Sequence, residues 1–341
     1  MAVDLRQVAR LSGVSVSTAS RALSGSTQVS VRTAARVRAA AATLGYRPNA
    51  SARALRGARS QFIGLVVTNL VNTSFQAIAD VARREFARHD YQLMLSITDG
   101  DPVQERAALR ILVDYGAAGV IVVGSDSEAA EELPRSGTPI VHLARRPQRL
   151  VGDAVLGDEI AGARLATEHL LKAGHRRIAI IAGPRDVQSG RERMEGYWLA
   201  MQAAGIPVRE ELALHVPLTP EAGAAAAGDL LDLPVSSQPS ALIVANHEAC
   251  YGVLPALRER PVAIPRDLAV ICYEDSLLAR WWHPAVTVID NNAREMGELA
   301  ARLLLRRLDP ADGGRAESKT EFSEFRVGAR LIERDSCRRP G

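Results

Sequence analysis

Arg21 is the side chain of the N-terminal segment that is best suited to recognise a base pair. A guanidinium donates two parallel hydrogen bonds to O6 and N7 of guanine. Ser17 lies four residues earlier and Val16 five residues earlier, so both could face a base edge together with Arg21. A phosphate contact or a solvated side chain is the alternative interpretation of Arg21. The residue types and their spacing predict sequence-specific recognition of double-stranded DNA.

Three short helices would position these side chains. The apolar spacing predicts helices over Leu5–Leu11, Val16–Leu23 and Val31–Leu44, the last of them capped by Ser30. Gly13 accepts the positive φ that a tight corner between two helices demands. Two short helices around the turn A-x-x-x-G-V-S are typical of a helix-turn-helix.

The charge of the chain is divided unevenly. The first 60 of the 341 residues contain ten arginines, no lysine and one acid, Asp4, which gives a net charge of +9. Because the whole chain carries +3, the remaining 281 residues carry −6. A basic segment attached to an acidic body indicates a polyanion partner for the basic segment. A protein-docking module is the alternative, and the charge disfavours it.

A short alanine-rich segment follows Tyr46. Asn49 can cap a short helix there, and Leu55 is its only large apolar side chain. Such a helix is suited to insert a leucine into the minor groove between base steps. A linker helix explains the spacing equally well.

From Gln61 onward, apolar strands alternate with amphipathic helices. The predicted strands are Phe62–Val67, Tyr91–Ile97, Gly119–Val123, Pro139–Leu143, Arg177–Ala182, Ala241–Ala245 and Leu268–Cys272. The predicted helices are Phe75–His89, Pro102–Tyr115, Gly162–Ala173, Arg191–Ala204, Pro220–Leu231 and Glu248–Arg258. Repeated βαβ units predict two doubly wound parallel-sheet lobes, with a ligand in the crevice at the carboxyl ends of the strands.

Several classes of protein are excluded. No apolar run approaches the ~18 residues of a membrane span, and the N-terminus lacks the apolar core of a secretory signal. Cys250, Cys272 and Cys337 are odd in number and widely spaced, which indicates free thiols in a reducing cytosol rather than disulfides or a metal site. We therefore expect a cytoplasmic protein.

The sequence also lacks the patterns of common catalytic sites. G-x-S-x-G, H-E-x-x-H and G-x-x-x-x-G-K-[ST] are all absent. His175 precedes a strand without a Cys or Ser partner and is interpreted as a structural turn histidine. We expect no enzyme activity, no catalytic residue, no cofactor and no metal. A doubly wound enzyme and an exported solute receptor remain the rival classes.

The motifs resemble the lac repressor/gal repressor (LacI/GalR) family of bacterial transcription regulators along nearly the whole chain. The matching segments are L-R-Q-V-A-R-L-S-G-V-S-V-S-T-A-S-R-A-L, L-G-Y-R-P-N, A-R-A-L, A-G-H-R-R-I-A-I-I-A-G-P, R-E-R-M-E-G-Y, I-P-R-D-L-A-V and N-A-R-E-M-G. The resemblance implies an all-α helix-turn-helix domain followed by an α/β body like that of periplasmic sugar-binding proteins. It also implies a homodimeric repressor that binds a pseudo-palindromic operator under the allosteric control of a small-molecule effector.

The resemblance assigns residues to DNA binding. Val16, Ser17 and Arg21 match the base-reading positions, and Leu55 matches the hinge leucine that enters the minor groove. The full set of predicted DNA-binding residues is Leu5, Ser15, Val16, Ser17, Thr18, Arg21, Ser30, Tyr46, Asn49, Arg53 and Leu55.

The resemblance further implies a division into domains. Residues 1–48 form the headpiece, 49–60 the hinge helix and linker, 61–333 the effector-binding and dimerisation domain, and 334–341 a tail. Because the family's chain crosses between the lobes three times, the N-terminal lobe is expected to comprise 61–156 and 287–320. The C-terminal lobe is then expected to comprise 157–286 and 321–333.

An effector pocket between the lobes is implied in the same way. The matching positions are Asn72, Ser74, Phe75, Arg191, Arg193, Leu218, Asn246, His247, Glu274 and Asp275. A structural ion pair is the alternative for Arg193, and a place in the core is the alternative for Phe75.

Departures from the family suggest the charge of the ligand. Ala144 and His247 stand where the family often has acids, and Glu159 replaces a usual asparagine. Loss of two acids with retention of two arginines favours an anionic effector, such as a sugar acid or a phosphorylated sugar, over a neutral hexose. The pair Trp281–Trp282 is also unusual, and a place in the core or in an interface is favoured for it.

Overall fold

The structure of the protein is a computed structural model. It describes residues 3–23, 28–46, 61–124, 130, 133, 136–147, 149–309 and 322–337. The chain divides into two compact units, Met1–Ser60 and Gln61–Gly341, which we call the head and the body and describe separately.

The head contains the three predicted helices: α1 (Leu5–Leu11), α2 (Val16–Leu23) and α3 (Val31–Leu44). Local chemistry sets their ends. The side chain of Asp4 accepts a hydrogen bond from the backbone N–H of Gln7, and the side chain of Gln7 accepts one from the backbone N–H of Asp4, a reciprocal cap of α1. Small apolar residues fill the core, which is formed by Val8, Ala9, Ala19, Ala22, Val37, Ala40 and Ala41. The predicted helical fold of the head is confirmed.

The body begins with the six-stranded sheet of the first lobe. Its strands are β1 (Phe62–Val67), β2 (Gln92–Ile97), β3 (Val120–Val122), β4 (Ile140–Leu143), β5 (Asp153–Gly157) and β11 (Glu324–Val327), in the spatial order β11-β5-β4-β3-β1-β2. All the pairs are parallel. Helices α4 (Thr73–Ala87) and α11 (Ala293–Leu308) contribute to the core on one face, and α5 (Pro102–Asp114) contributes to the core on the other.

The second lobe repeats this architecture. Its strands are β6 (Ile178–Ala182), β7 (Ala213–His215), β8 (Ala241–Val244), β9 (Ala269–Tyr273), β10 (Thr287–Asp290) and β12 (Arg330–Ile332), in the order β12-β10-β9-β8-β6-β7. Only β12 runs antiparallel to its neighbour. Helices α6 (Glu159–Lys172) and α7 (Gln188–Ala203) pack on one face, and α8 (Pro220–Leu231) and α9 (His247–Arg258) on the other. The predicted pair of doubly wound lobes is confirmed.

The predicted assignment of two segments to the lobes is wrong. Strand β10, expected in the first lobe, pairs with β9 in the second sheet, and β11, expected in the second lobe, pairs with β5 in the first. The chain therefore crosses between the sheets after β5, between β10 and α11, and between β11 and β12. A three- or four-residue strand carries no signal for which of two sheets it joins, because backbone pairing decides this.

The expected tail also begins too early. Ser336 is fully buried: its hydroxyl accepts a hydrogen bond from the backbone N–H of Thr287 at 2.8 Å and donates one to the carbonyl of Val270 at 2.6 Å. Cys337 is 3% exposed. The second lobe therefore extends to Cys337, and Ser336 and Cys337 belong to its core.

The two neighbouring tryptophans differ in their surroundings. Trp281 ends the short helix α10 (Leu277–Trp281) and is 81% exposed, so a place in the core is wrong for it. Trp282 packs against the core of the second lobe, with the guanidinium of Arg258 6.0 Å from its ring centroid.

Among the described residues, no helix combines the length and the apolar character needed to cross a membrane. The three cysteines are free and buried.

Candidate functional site

The outer face of α2 carries the three residues predicted to read bases. Ala19 and Ala22 turn inward and are buried, which leaves Val16, Ser17 and Arg21 exposed. The Arg21 Nε donates to the carbonyl of Ser17 at 3.4 Å, and its Nη1 donates to Oε1 of Gln28 at 3.4 Å. These long contacts keep the guanidinium beside Ser17 on the exposed surface.

Hydroxyl residues at the helix starts act as caps. The Ser15 Oγ accepts from the backbone N–H of Thr18 at 3.1 Å, and it also lies 3.0 Å from the Ser17 Oγ. Ser30 caps α3 by accepting from the N–H of Thr33 at 3.3 Å. Both serines are exposed, so capping leaves room for a contact to a phosphate.

The other predicted DNA-binding residues fall into two groups. Leu5 and Tyr46 are partly buried and pack against the core of the head, which gives them a structural role. Asn49, Arg53 and Leu55 lie outside the described residues.

The body has a cavity between its lobes, with a volume of about 80 Å³. Its lining residues lie mostly where strands end and the following helices begin, the crevice expected at the carboxyl ends of parallel strands. They are Thr68, Asn69, Asn72, Ser74, Phe75, Ile78, Val123, Ala144, Arg145, Glu159, Ser189, Arg193, Leu218, Asn246, His247, Glu248, Glu274, Asn291, Ala293 and Met296. Eight of the ten predicted effector residues are among them.

Arg193 is held in the cavity wall by Glu159. The Nε of Arg193 donates to Glu159 Oε2 at 2.6 Å and Nη2 donates to Oε1 at 3.0 Å, while Nη1 donates to the carbonyl of Ala245 at 2.6 Å. Its guanidinium also lies 4.3 Å from the ring centroid of Tyr273. Burial alone would lower the pKa of Arg193, but the charge and hydrogen bonds of Glu159 raise it. The structural ion pair is thus the arrangement observed.

Glu274 connects the lobes near this ion pair. The hydroxyl of Ser74, from the first lobe, donates to its Oε2, and the Asn291 Nδ2 lies 3.4 Å from its Oε1. Burial raises the pKa of Glu274 to about 7, against the lowering effects of Ser74 and Arg193. Its φ is +70°, a left-handed conformation that costs energy for any residue other than glycine.

Glu248 makes a second contact between the lobes. Its Oε1 accepts from Nδ2 of Asn69, in the first lobe, at 2.9 Å. Burial raises the pKa of Glu248, while Asn69 and the positive charge of Arg145 oppose the rise. Burial also lowers the pKa of Arg145, which lies within the influence of Glu105 and Glu248.

Two buried polar atoms in the cavity wall lack hydrogen bonds. They are Nε2 of His247, which is 5% exposed, and Oδ1 of Asn291, also 5% exposed. Neither has a hydrogen-bond partner among the residues that the structure describes. Burial lowers the pKa of His247 to about 4, and Arg193 adds to this, so the imidazole is neutral at pH 7. Because buried polar groups usually find partners, these atoms are candidates for ligand contact.

Two predicted effector residues do not line the cavity. Arg191 donates from Nη1 to the carbonyls of Arg185 and Asp186, at 3.0 and 2.9 Å. Asp275 pairs with Arg280 at 2.7 Å and with Arg334 at 2.5 Å. Both therefore have structural partners away from the pocket.

Arg191 and Arg193 therefore do not supply the two free arginines on which the prediction of an anionic ligand rested, and the charge of the ligand stays a prediction. That prediction required two available arginines and few acids, but Arg191 points elsewhere and Arg193 is neutralised by Glu159. Three carboxyl groups line the cavity, those of Glu159, Glu248 and Glu274. Two arginines, Arg145 and Arg193, line it as well.

Sequence reasoning missed several lining residues: Asn69, Arg145, Ser189, Glu248 and Asn291, as well as Glu159, which was singled out only as a departure. Arg145 and Glu248 each follow directly a position that the resemblance did single out, Ala144 and His247. The position of Arg145 and Glu248 next to these two residues was the signal in the sequence that could have identified them as lining residues. Among the described residues, no group of three histidine, cysteine or acidic side chains is placed to hold a metal ion.

Comparison with known proteins supports both units. Residues 4–49 match the family model "Bacterial regulatory proteins, lacI family", and residues 167–337 match "Periplasmic binding protein-like domain". The ribose operon repressor of Escherichia coli (strain K12) is 32% identical over 307 residues, which cover 89% of this chain and 92% of the repressor.

Two solved structures are also similar to the chain. The complex of the transcriptional regulator CelR with cellobiose has a TM-score of 0.71 at 30% identity, covering 98% of this chain and 99% of the other. The lac repressor dimer bound to operator and the anti-inducer ONPF has a TM-score of 0.81 at 24% identity, covering 99% of this chain and 100% of the other, and shows a shared fold.

Proposed function

The chain belongs to the LacI family of bacterial regulatory proteins, and we propose that it is a sequence-specific repressor whose affinity for operator DNA is controlled by a small molecule bound between the lobes of the body. The observation that carries the proposal is the outer face of α2, where Val16, Ser17 and Arg21 are exposed and lie outside the core of the head. A head of net charge +9 supplies the sequence-independent attraction to phosphates. The body's charge of −6 disfavours contact between the body and DNA.

The proposed DNA contacts follow from exposure. Val16, Ser17 and Arg21 contact base edges, and Ser15, Thr18 and Ser30 contact the backbone at the two helix starts. Asn49, Arg53 and Leu55 are proposed to form the hinge, with Leu55 entering the minor groove. Leu5 and Tyr46 hold the head together.

The proposed effector is a small neutral molecule that carries hydroxyl groups. A hydroxyl both donates and accepts, so it can satisfy the carboxyl groups, the amides and Arg145 without adding charge. Ribose and cellobiose, which the names and titles of similar proteins mention, belong to this class. The proposed binding residues are the lining residues Asn69, Asn72, Ser74, Phe75, Arg145, Leu218, Asn246, His247, Glu248, Glu274 and Asn291, with Arg193 and Glu159 as their support.

We further propose a homodimer. Strand β2 lies at the edge of the first sheet, and Met94, Leu95 and Ile97 on it are 40–44% exposed. An exposed apolar edge strand favours association unless it is covered. A second copy of the chain would cover it, and two heads then match a pseudo-palindromic operator. Leu95→Arg is expected to yield monomers in sedimentation experiments.

The protein is proposed to act without catalysis or cofactor, and in the cytoplasm, where its DNA partner lies. The proposed domains of the chain are a headpiece at 1–48, a hinge at 49–60 and a body from 61 to 337.

In vitro selection from fragments of the source genome tests the proposal. The full-length protein is expected to enrich pseudo-palindromic sites and to protect them from nuclease cleavage. Binding that is independent of sequence at physiological salt would contradict it.

A further inference from the structure

Five residues outside the predicted effector site form a closed ring of hydrogen bonds between the two lobes of the body. Three belong to the first lobe: Arg146, which follows β4, and Glu324 and Arg326, on the edge strand β11. Two belong to the second lobe: Gln188 and Glu192, one turn apart at the start of α7. We call this set the charged ring. The inference drawn from it rests on the proposed function, because it concerns how the angle between the lobes controls DNA binding.

Two contacts of the charged ring cross from one lobe to the other. The guanidinium of Arg326 donates from Nη1 to Glu192 Oε2 at 2.8 Å and from Nη2 to Glu192 Oε1 at 2.9 Å, which makes a two-point ion pair. The backbone N–H of Arg146 donates to Gln188 Oε1 at 2.8 Å. Because two parallel hydrogen bonds fix the orientation of the paired groups as well as their distance, the ion pair restrains rotation of one lobe against the other.

The remaining contacts lie within one lobe and complete the ring. In the second lobe, Gln188 Nε2 donates to Glu192 Oε1 at 2.7 Å. In the first lobe, the carboxylate of Glu324 accepts from Nε of Arg146 at 2.7 Å and from Nε of Arg326 at 3.3 Å. Each residue that contacts the facing lobe is thus also held by a neighbour on its own lobe. Less side-chain freedom is then lost when the lobes meet, which strengthens the crossing contacts.

The crossing ion pair is charged and partly shielded from water. The side chain of Glu192 is 15% exposed and that of Arg326 is 33% exposed. Burial would raise the pKa of Glu192, but the hydrogen bonds from Arg326 and Gln188 hold this pKa below its usual value. The hydrogen bonds to Glu192 in turn raise the pKa of Arg326. Both groups therefore carry their charges at neutral pH, and added salt weakens their attraction only in part.

The charged ring lies beside the cavity and beside a crossing of the chain between the lobes. Its five residues are not among those that line the cavity, but Arg145, next to Arg146, and Ser189, next to Gln188, do line it. Arg326 is the residue before the last of β11, after which the chain crosses to β12. A ligand in the cavity has its contacts elsewhere, whereas a change in the angle between the lobes must stretch or break the ion pair.

We propose that the charged ring is a latch that holds the lobes at the angle observed here, and that its strength determines how often the lobes separate. A ligand that binds best at this angle acts together with the latch, and a ligand that binds best at another angle must break it. The apparent affinity of a protein for a ligand falls with the fraction of molecules in the state that binds. The latch therefore sets the affinity for the effector and for DNA without contacting either of them.

Hydrogen–deuterium exchange of the full-length protein, measured by mass spectrometry, tests the latch without a ligand. Glu192→Gln and Arg326→Gln each remove the crossing ion pair. Peptides that cover 68–75 in the first lobe and 244–250 in the second contain residues of the cavity wall but no member of the ring. These peptides should exchange about threefold faster in both variants, because the lobes separate more often. The double variant should exchange no faster than the faster single variant, since the two side chains act through one contact.

Asp232→Asn is the matched control. Asp232 accepts from Nη1 and Nη2 of Arg260 at 2.5 and 3.3 Å, so it forms a two-point ion pair that lies wholly inside the second lobe. Its removal should leave the exchange of the same peptides unchanged. Raising the ionic strength from about 0.05 to about 0.5 M should bring the wild-type protein closer to the exchange rate of Glu192→Gln and change that variant little.

The affinity for a selected operator, measured by fluorescence anisotropy, shows whether the latch regulates DNA binding. The dissociation constant should change about threefold in Glu192→Gln and stay the same in Asp232→Asn. Exchange at the wild-type rate in both single variants would overturn the latch, and an unchanged dissociation constant beside faster exchange would overturn its regulatory role. If the wild-type protein enriches no operator although exchange responds as expected, the latch stands and the proposed function is wrong.

Discussion

Arg193 and Glu159 form a two-point ion pair buried in the wall of the effector cavity, with N···O distances of 2.6 and 3.0 Å. The two residues come from neighbouring helices of the second lobe, α7 and α6. The guanidinium of Arg193 therefore binds groups of its own chain, Glu159 and Ala245. A positive charge that contacts a ligand must come from another residue of the cavity.

This pair makes Glu159 important for stability. Glu159→Gln removes the negative charge and leaves Arg193 buried and uncompensated, which is expected to cost about 3–5 kcal/mol of the free energy of unfolding. Urea denaturation measures this cost. The double variant Glu159→Gln/Arg193→Met should be less destabilised than the two single variants added together. A single variant within about 1 kcal/mol of the wild-type protein would show that the pair is solvated rather than buried.

The carboxyl group of Glu274 makes stability depend on pH. Its pKa is about 7 in the folded protein, against 4.5 for an ordinary glutamate. Because the folded state holds its proton more tightly, this group stabilises the fold fully below pH 4.5 and loses its contribution as the pH rises through 7. The loss amounts to about 3 kcal/mol at most. The difference in stability between the wild-type protein and Glu274→Gln, measured by denaturation from pH 5 to 8, should fall over this window. A constant difference would contradict a buried, proton-binding carboxyl.

Arg21 is expected to specify one base pair. Arg21→Ala should weaken operator binding by about 1–3 kcal/mol and relax the preference at one position of the site. Arg38→Ala, an exposed arginine on α3, provides a matched control, since it also removes one charge from the head. Fluorescence anisotropy against a set of operators with single base changes measures both effects. An equal loss of affinity for every operator sequence would show that Arg21 contacts a phosphate and does not specify a base pair.

Leu55 is expected to contribute to DNA binding and not to the stability of the body. Leu55→Ala should weaken operator binding while the thermal unfolding temperature of the body stays the same, because a wedge residue contributes contacts that exist only in the complex. Gel-shift titration checks the affinity. Unchanged affinity would favour the linker-helix interpretation of this segment.

Much of the fold was predictable because its signals are local. In the head, Ser30 and Gly45 mark the two ends of α3, and Ala19 and Ala22 mark the inner face of α2. In the body, continuous apolar runs such as Phe62–Val67 coincide with the strands. The placement of β10 and β11 was not predictable, since it depends on which strand offers a free edge after the chain has crossed between the lobes.

The cavity was predictable in position but less so in its side chains. Arg191 and Arg193 both lie on α7. Because residues separated by two positions on an α-helix point about 200° apart, only one of these two arginines could face the cleft. Arg145 and Glu248 escaped notice because the motifs draw attention to the residues before them. Two of the lining residues, Ala144 and Glu274, also have left-handed backbone, with φ of +58° and +70°, which no residue type at these positions signals.

The central claim is that occupancy of the cavity changes the affinity for DNA. The most direct measurement is an anisotropy titration of a selected operator by the full-length protein, with and without a saturating concentration of a neutral probe that stabilises the body. We expect the dissociation constant to change by about 5- to 150-fold, the usual range of allosteric coupling. The same dissociation constant with and without the bound probe would contradict the account.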